Sequence, residues 1–172
     1  MDVPRGVELG FAEFVRANTA ALLRTGYLLT GNTSAAEELV QDTLVRLYPK
    51  WERVQAAEVP LAYVRRSVAN AFVNERRRPA SRVLRFELVP ERADDRDATA
   101  AIVDRDELWP LLRALSARQR AALVLRYYHD LTDDQIAAVL DCRAGTVRSL
   151  ISRGLATMRE AADEAPAPWR LS

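Results

Sequence analysis

Apolar residues recur along the chain every three to four positions, the spacing of one face of an α-helix, and no segment shows the alternation of a β-strand. In the first half this spacing predicts helices over residues 8–29, 34–48 and 60–77, with a loop over 52–59. Ser34 and Glu37 match the S-x-x-E capping box that opens a helix. Pro60 suits the first helical position because its missing N–H is not needed there. The three helices can share one small core.

The last third of the chain predicts a cluster of shorter helices over residues 106–115, 116–128, 133–140 and 144–162. Ser116 with Gln119 and Thr132 with Gln135 form two further capping-box patterns. A tight turn over 141–143 joins the last two helices, which predicts a helix-turn-helix. Between the two groups, residues 78–102 have no sustained apolar period and are interpreted as a linker.

The apolar positions also predict which side of each helix is buried. In the helix that starts at Pro60, the predicted buried residues are Leu61, Val64, Val68, Ala71 and Phe72. Before the helix-turn-helix they are Leu123, Val124, Tyr127 and Tyr128. In the last helix they are Val147, Ile151, Leu155 and Met158.

Charge is sorted along the chain although the net charge of the 172 residues is only +1. Residues 60–86 carry seven arginines and one acid, residues 87–107 carry eight acids and three arginines, and residues 141–159 carry four arginines and one acid. Two basic segments flanking an acidic one suggest two modules that face anions and a tether between them. Solvated arginine-rich faces are the alternative explanation of this pattern, and a GC-rich genome would explain why nearly all of the positive charge is arginine.

Several classes of function are disfavoured by what the composition lacks. Cys142, His129 and Lys50 are each the only residue of their type, so a disulfide framework, a cysteine-based zinc site and a two-histidine relay are excluded. The chain has no apolar run of transmembrane length and no signal-peptide pattern at its start. We therefore expect a cytoplasmic protein without catalysis, metal, cofactor or membrane partner; a small helical hydrolase would need clustered carboxylates that are not found.

The predicted second helix of the helix-turn-helix has a basic and hydroxyl-rich outer side. A helix of this kind fits the major groove of B-DNA, where arginine grips guanine or phosphate and Ser or Thr bonds either. An ordinary helical hairpin with a solvated face is the alternative. The candidate DNA-binding residues are Arg143, Thr146, Arg148, Ser149, Ser152 and Arg153.

The predicted helix 60–77 carries a second row of polar residues at spacings of three and four. Amide, guanidinium and aromatic groups suit melted DNA, since aromatic rings stack on bases and arginine holds the backbone. For Trp51 and Tyr63, a place in the core is the alternative. The candidates for binding single-stranded DNA are Trp51, Tyr63, Arg66, Asn70, Asn74 and Arg77.

Several runs together resemble one family. Residues 27–31 (YLLTG), 36–42 (AEELVQD), 62–70 (AYVRRSVAN) and 76–78 (RRR) look like region 2 of sigma factors. Residues 115–127 (LSARQRAALVLRY), 131–140 (LTDDQIAAVL) and 145–149 (GTVRS) look like region 4 with its helix-turn-helix. The whole resembles the extracytoplasmic-function (ECF) sigma factors of the sigma-70 family, in the short actinobacterial SigE-like form.

The resemblance implies an all-α protein of two small helical modules joined by a flexible linker. Residues 1–80 would be region 2, a three- to four-helix bundle; 81–105 an acidic linker; 106–165 region 4; and 166–172 a short tail. Region 4 would read the −35 element as duplex and touch the β flap of RNA polymerase. Residues 50–59 and 63–77 would capture the melted −10 element.

The resemblance also implies partners. Core RNA polymerase would be held at its β′ clamp helices by Glu38, Gln41, Asp42 and Val45, and an anti-sigma factor is an optional further partner. Asp141 replaces a common Gly of the turn, Arg143 a small N-cap, and Leu150 a frequent Arg, so the −35 sequence stays open. A free-standing helix-turn-helix regulator is the runner-up, but it leaves the Asn70 and Asn74 row unexplained.

Overall fold

A computed structural model gives the structure, which describes residues 5–75 and 108–164, with side chains from residue 10 onward. Every regular element in these two ranges is helical, and no strand occurs within them, which confirms the all-α prediction. Contacts divide the chain into two compact units, Met1–Thr99 and Ala100–Ser172. The predicted linker 81–105, the tail 166–172 and the candidate Arg77 lie outside the described residues. None of the described helices is both long and apolar enough to cross a membrane.

Within residues 5–75, the described part of the first unit, there are four α-helices. They are α1 (Arg5–Thr30), α2 (Thr33–Leu47), the short α3 (Trp51–Gln55), which follows a 3₁₀ turn over Tyr48–Lys50, and α4 (Pro60–Glu75). Helix α1 packs on both α2 and α4. The core combines the rings of Trp51 and Phe72 with aliphatic side chains from all four helices, including Leu22, Leu29, Leu39, Val54, Val64 and Val68.

Two boundary predictions for this unit are wrong. Helix α2 is capped by Asn32, whose side-chain oxygen accepts a 2.9 Å hydrogen bond from the backbone N–H of Ala35, so Ser34 already lies inside the first turn. The chain reverses at Gly31, whose φ of 68° a glycine adopts without steric cost, and this sets Asn32 at the helix start. The predicted loop 52–59 begins instead with helix α3, because Trp51 and Val54 lie three residues apart and are both buried.

Helix α4 confirms most of the predicted buried side. Val64, Val68 and Phe72 are buried, and Ala71 with them, whereas Leu61 is only half-buried. Burial also extends to Ala69 and Val73. Pro60 is the first helical residue, as predicted. The buried side of α4 is wider than predicted because the helix packs on both α1 and α2.

The second unit also contains four α-helices in its described part. They are α5 (Leu108–Arg113), α6 (Ala117–Leu123), which continues as a π-helical turn over Val124–Tyr128, α7 (Asp133–Leu140) and α8 (Ala144–Glu164). Both predicted capping boxes are confirmed. The backbone N–H of Gln119 donates to Ser116 Oγ at 3.2 Å and that of Gln135 to Thr132 Oγ1 at 3.3 Å, and each glutamine side chain accepts in return at 3.0 Å.

The prediction that Tyr127 and Tyr128 belong to the buried side of their helix is wrong, whereas Leu123 and Val124 are buried as predicted. Tyr127 is 65% exposed, and Tyr128 is exposed too. The π-helical turn explains the difference. The N–H of His129 bonds the carbonyl of Val124, five residues back, at 3.2 Å, so the turn holds more residues than an α-helical turn. The phase of the apolar pattern therefore slips, and both rings face outward.

The buried row of α8 differs from the predicted one. Val147 is buried as predicted, but the row continues through Leu150 and Gly154, while Ile151, Leu155 and Met158 are half-buried beside it. Gly154 explains the shift. A Cβ there would lie 2.9 Å from Leu123 Cδ1, so the helices approach most closely at the residue that has no side chain. A count of large apolar residues overlooks a contact of this kind.

Candidate nucleic-acid interface

Helices α7 and α8 form the predicted helix-turn-helix. Helix α7 ends at Leu140, and the next residue, Asp141, adopts a left-handed conformation with a φ of 49°. The carbonyl of Arg143 then accepts from the N–H groups of Thr146 and Val147, at 2.9 and 3.1 Å, and opens α8. From α6, the guanidinium of Arg118 donates to the carbonyl of Leu140 at 3.0 Å and ties the end of α7 to α6.

The exposed side of α8 carries all the candidates for duplex DNA that lie in that helix. Around the helix axis it faces away from the buried row of Val147, Leu150 and Gly154. Leu150, which replaces a frequent Arg of the resembled family, faces the core. Arg143 is exposed just before the helix begins. The exposed candidates within α8 are Thr146, Arg148, Ser149, Ser152 and Arg153.

Hydrogen bonds along α8 fix part of this surface. Ser149 Oγ donates to the carbonyl of Gly145 at 3.1 Å, and Arg153 Nε donates to the carbonyl of Ser149 at 3.2 Å. These bonds leave the hydroxyl oxygen of Ser149 as an acceptor and the terminal nitrogens of Arg153 as donors. The surface therefore offers positive charge and both hydrogen-bonding polarities to a groove and its phosphates.

In the first unit, one row of α4 gathers the described candidates for single-stranded DNA except Trp51. Tyr63, Arg66 and Asn70 are half-buried, and Asn74 is exposed. The side-chain amide of Asn74 donates to the side-chain oxygen of Asn70, one helical turn earlier. The row follows spacings of three and four, so it occupies one side of the helix. It presents an aromatic ring, a guanidinium and two amides.

Trp51 does not belong to this surface, and its prediction as a stacking residue is corrected. It is only 2% exposed. Its ring packs edge-on against Phe11 and at a tilt against Phe14, with centroids 5.0 and 4.9 Å apart. A base cannot reach it without displacing α1. The aromatic contacts with α1 hold α3 in place, which is the core role that the sequence left open.

Helix α2 presents the residues that the resemblance assigns to polymerase. Glu38, Gln41, Asp42 and Val45 are all exposed and lie at positions i, i+3, i+4 and i+7, on one side of the helix. Val45 is 70% exposed, although it is apolar. A single exposed aliphatic side chain is common on protein surfaces, so the link between this side of α2 and polymerase comes from the resemblance.

Sequence reasoning missed two residues that organise the second unit. Arg120 is 4% exposed, and its guanidinium donates to the carbonyls of Leu112 and Leu115 at 2.9 and 3.3 Å. Asp133 pairs with both Arg126 and Arg148. Neither was signalled by apolar periodicity; the only sequence signal for Asp133 was its place in the first turn of a helix, where acids are common.

The remaining candidates for chemistry have structural surroundings. Cys142 is half-buried in the turn between α7 and α8, and its backbone N–H donates to the carbonyl of Ala137 at 3.0 Å. The ring of His129 contacts that of Tyr128 edge-on at 4.9 Å. Within residues 5–75 and 108–164, no three acidic, histidine or cysteine side chains gather into a metal-binding group.

Two protein-family models match the chain. The model of Sigma-70 region 2 matches residues 14–82, and that of Sigma-70, region 4 matches residues 105–158. The first match includes the α2 surface and the α4 row, and the second includes the helix-turn-helix.

Curated relatives extend these matches over most of the chain. The RNA polymerase sigma-E factor of Streptomyces coelicolor is 36% identical over 155 residues, which cover 90% of this chain and 87% of that protein. The ECF RNA polymerase sigma factor SigL of Mycobacterium tuberculosis is 30% identical, with 83% and 82% covered. The ECF RNA polymerase sigma factor SigE of Mycolicibacterium smegmatis is 31% identical, with 86% and 60% covered.

A solved structure shares the fold. The sigma factor RpoE of Bartonella quintana, crystallised in complex with the anti-sigma factor NepR, aligns over 91% of this chain and 99% of that chain with a TM-score of 0.65. The sequences are 22% identical, so this likeness concerns the fold alone.

Proposed function

Since the chain belongs to the sigma-70 family of RNA polymerase sigma factors, among its ECF members, we propose that it binds core RNA polymerase and directs initiation at promoters that it selects. The observation that carries this function is the presence, in one chain, of a region 2 match with an exposed α2 surface and a region 4 match with an exposed α8 surface. Residues 1–80, 81–105, 106–165 and 166–172 are region 2, acidic linker, region 4 and tail in this proposal.

Helix α8 reads the −35 element in the major groove of duplex DNA. Support comes from the charge and exposure of its outer side, since a helix with such a side fits the groove and bonds base edges and phosphates. Arg148 and Arg153 hold guanine or phosphate, and Thr146, Ser149 and Ser152 complete the contacts. Arg143 lies at the entry of the helix, where a phosphate contact is the role we assign to it.

The row on α4 holds the non-duplex −10 element. Tyr63 supplies a ring for stacking, Arg66 and Arg77 hold the backbone, and Asn70 and Asn74 bond base edges. Trp51 has no part in this contact, since it is buried. The segment from Lys50 to Val59 takes part in the same capture of the −10 element.

Helix α2 binds core polymerase through Glu38, Gln41, Asp42 and Val45. The β′ clamp helices are the proposed partner for this side, and the β flap is the proposed partner for region 4. A protein of this kind works alongside polymerase in the cytoplasm and performs no catalysis itself. The alternative of a free-standing helix-turn-helix regulator is not favoured, because the region 2 match over residues 14–82 has no role in it.

The test is reconstitution with purified bacterial core polymerase, followed by transcription from a pooled promoter library with and without the protein. We expect binding to core and new, defined start sites preceded by a common −35 and −10 pair. Binding to duplex DNA alone, with no affinity for core, would favour the free-standing regulator.

One substitution tests the assignment of α2. Val45→Asp puts a charge on the apolar member of the proposed docking surface and is expected to weaken core binding at least about tenfold, the effect of losing a well-packed apolar anchor. Thr33→Asp introduces the same charge at an exposed position of the same helix, three turns away, and should bind core as the parent chain does. Equal binding by both variants would refute the assignment. Core affinity is measured by titration of fluorescently labelled protein.

A further inference from the structure

The carboxylate of Asp133 joins the end of α6 to α8, the recognition helix of the proposed function. Asp133 opens α7, and its Oδ1 accepts a hydrogen bond from the guanidinium of Arg126, which lies in the π-helical turn. Its other oxygen, Oδ2, lies 3.5 Å from a terminal nitrogen of Arg148 on α8. Three consecutive elements therefore meet at a single side chain.

Arg148 is the exposed member of this cluster and lies at the start of α8. Its side chain is 66% exposed, whereas those of Arg126 and Asp133 are largely covered. Its guanidinium folds back over the start of α8, with one nitrogen 3.8 Å from where a Cβ on Gly145 would lie. The start of a recognition helix is the part that contacts base edges.

The charges of the three groups decide what the carboxylate can do. An isolated acid beside a DNA-binding helix would repel phosphate. Here Arg126 compensates Asp133, so the cluster keeps a net charge of +1 while one carboxylate oxygen remains for Arg148. A long arginine side chain loses rotamer freedom when it binds, and an existing ion pair reduces that loss.

We propose that Asp133 is a positioning residue, which holds the guanidinium of Arg148 in the orientation that reads base pairs of the −35 element. The inference rests on the proposed function of α8. Asp133 itself does not contact DNA; it acts through Arg148, and Arg126 acts by neutralising and fixing Asp133. Without the carboxylate, Arg148 keeps its charge and its attraction to phosphate but loses its fixed direction.

The experiment uses the full chain with core polymerase and a promoter library that is randomised only in the −35 element. Arg148→Ala first identifies the base pairs that depend on this arginine. Asp133→Asn is then expected to reduce discrimination at those same base pairs by about threefold to tenfold, part of the effect of losing a bidentate contact. The double variant should lose little more than Arg148→Ala alone.

Asp134→Asn is the matched control, because Asp134 is the other acid in the first turn of α7, is exposed, and has no ion pair among the described residues. It should keep the parent base preferences. Asp133→Glu keeps the negative charge at the helix start, and hence its stabilising effect there, but moves the carboxylate by one methylene. It should broaden the preferences as Asp133→Asn does, and this separates positioning from folding.

The inference is overturned if Asp133→Asn keeps the parent preferences, if the effects of Asp133→Asn and Arg148→Ala are additive, or if Arg148→Ala changes no base pair. Each of these three results leaves the proposed function intact, because the parent chain still selects promoters with core polymerase. Failure of the proposed function differs from them, because the parent chain itself then selects no −35 sequence.

Discussion

At the residue scale, Arg120 shows how one buried charge organises a small unit. Its guanidinium donates to carbonyls at and after the end of α5, including those of Leu112 and Leu115, and lies over the ring of Trp109 at 5.0 Å. The last carbonyls of a helix have no partners within the helix. Arg120 supplies partners for them from α6 and so fixes the short α5, whose six residues would not hold a helix on their own.

Arg120→Lys should therefore destabilise the second unit by about 2 kcal/mol, because a lysine ammonium cannot reach several carbonyls in a plane and still lie flat on Trp109. Urea unfolding gives the stability change, and hydrogen exchange at the amides of α5 shows where protection is lost. Arg113→Lys, at an exposed position of α5, is the control and should be neutral. Unchanged protection in Arg120→Lys would contradict this role.

The burial of Trp51 leads to a second prediction at this scale. Among the described atoms, none accepts a hydrogen bond from its indole N–H. Trp51→Phe removes that unpaired donor as well as some ring volume, and the two effects offset each other, so we expect a loss of less than about 2 kcal/mol. Promoter opening, followed by chemical probing of unpaired thymines, should be unchanged. Asn74→Ala, on the exposed end of the α4 row, should reduce promoter opening. If Trp51→Phe reduced promoter opening and Asn74→Ala did not, the stacking role of Trp51 would be restored.

At the element scale, the turn of the helix-turn-helix combines a strained residue with good caps. Asp141 takes a left-handed conformation that glycine adopts freely and other residues adopt at a cost of about 1–2 kcal/mol. Helix α7 nevertheless begins with a complete capping box at Thr132 and ends with a hydrogen bond from Arg118. The capping box and the hydrogen bond from Arg118 offset the strain.

Relief of the strain at Asp141 can be measured. Asp141→Gly should stabilise the second unit by about 1 kcal/mol, because glycine has no Cβ to oppose the left-handed conformation. Asp141→Ala should destabilise it, since alanine keeps the Cβ and lacks the side-chain oxygen that helps aspartate in this conformation. Thermal unfolding by circular dichroism compares the two. If both variants shift the midpoint in the same direction, backbone strain is not the dominant effect.

At the scale of the whole molecule, the chain contains two compact units, and each has its own core. The first depends on a close crossing of α1 and α2 at Gly26, where a Cβ would lie 3.1 Å from both the Cβ and the carbonyl oxygen of Ala36. The second depends on the crossing of α6 and α8 at Gly154. Each unit is therefore stabilised by its own packed core.

Gly26→Val should destabilise the first unit by about 3 kcal/mol, because the added side chain overpacks the crossing against backbone atoms that cannot move away. The second unit should stay folded, since a domain with its own core can fold independently. Hydrogen exchange, resolved by segment, measures protection in residues 5–75 and 108–164 of the same chain. Ala20→Val, at an exposed position of α1, is the control. Loss of protection in both units would show that they fold as one.

The sequence anticipated features that depend on local chemistry. Apolar spacing was enough for the helical class and for most of the buried side of α4, and capping boxes correctly marked the starts of α6 and α7. The exposed side of α8 was also predicted, because its charged and hydroxyl residues cannot be buried cheaply. Family resemblance supplied the proposed polymerase role of α2, which the residues alone did not indicate.

Other features were decided only by tertiary packing. A count of apolar residues cannot foresee that Gly154 is where two helices meet, that a π-helical turn rotates Tyr127 outward, or that Trp51 is covered by α1. Nor can it bring Asp133, Arg126 and Arg148 together, since those residues come from three elements. Local sequence sets the conformational preferences of each segment, whereas contacts between segments depend on which surfaces fit at close range. For this protein, the sequence determined the helices and their chemistry, and the tertiary structure decided which side chains remain available to DNA and polymerase.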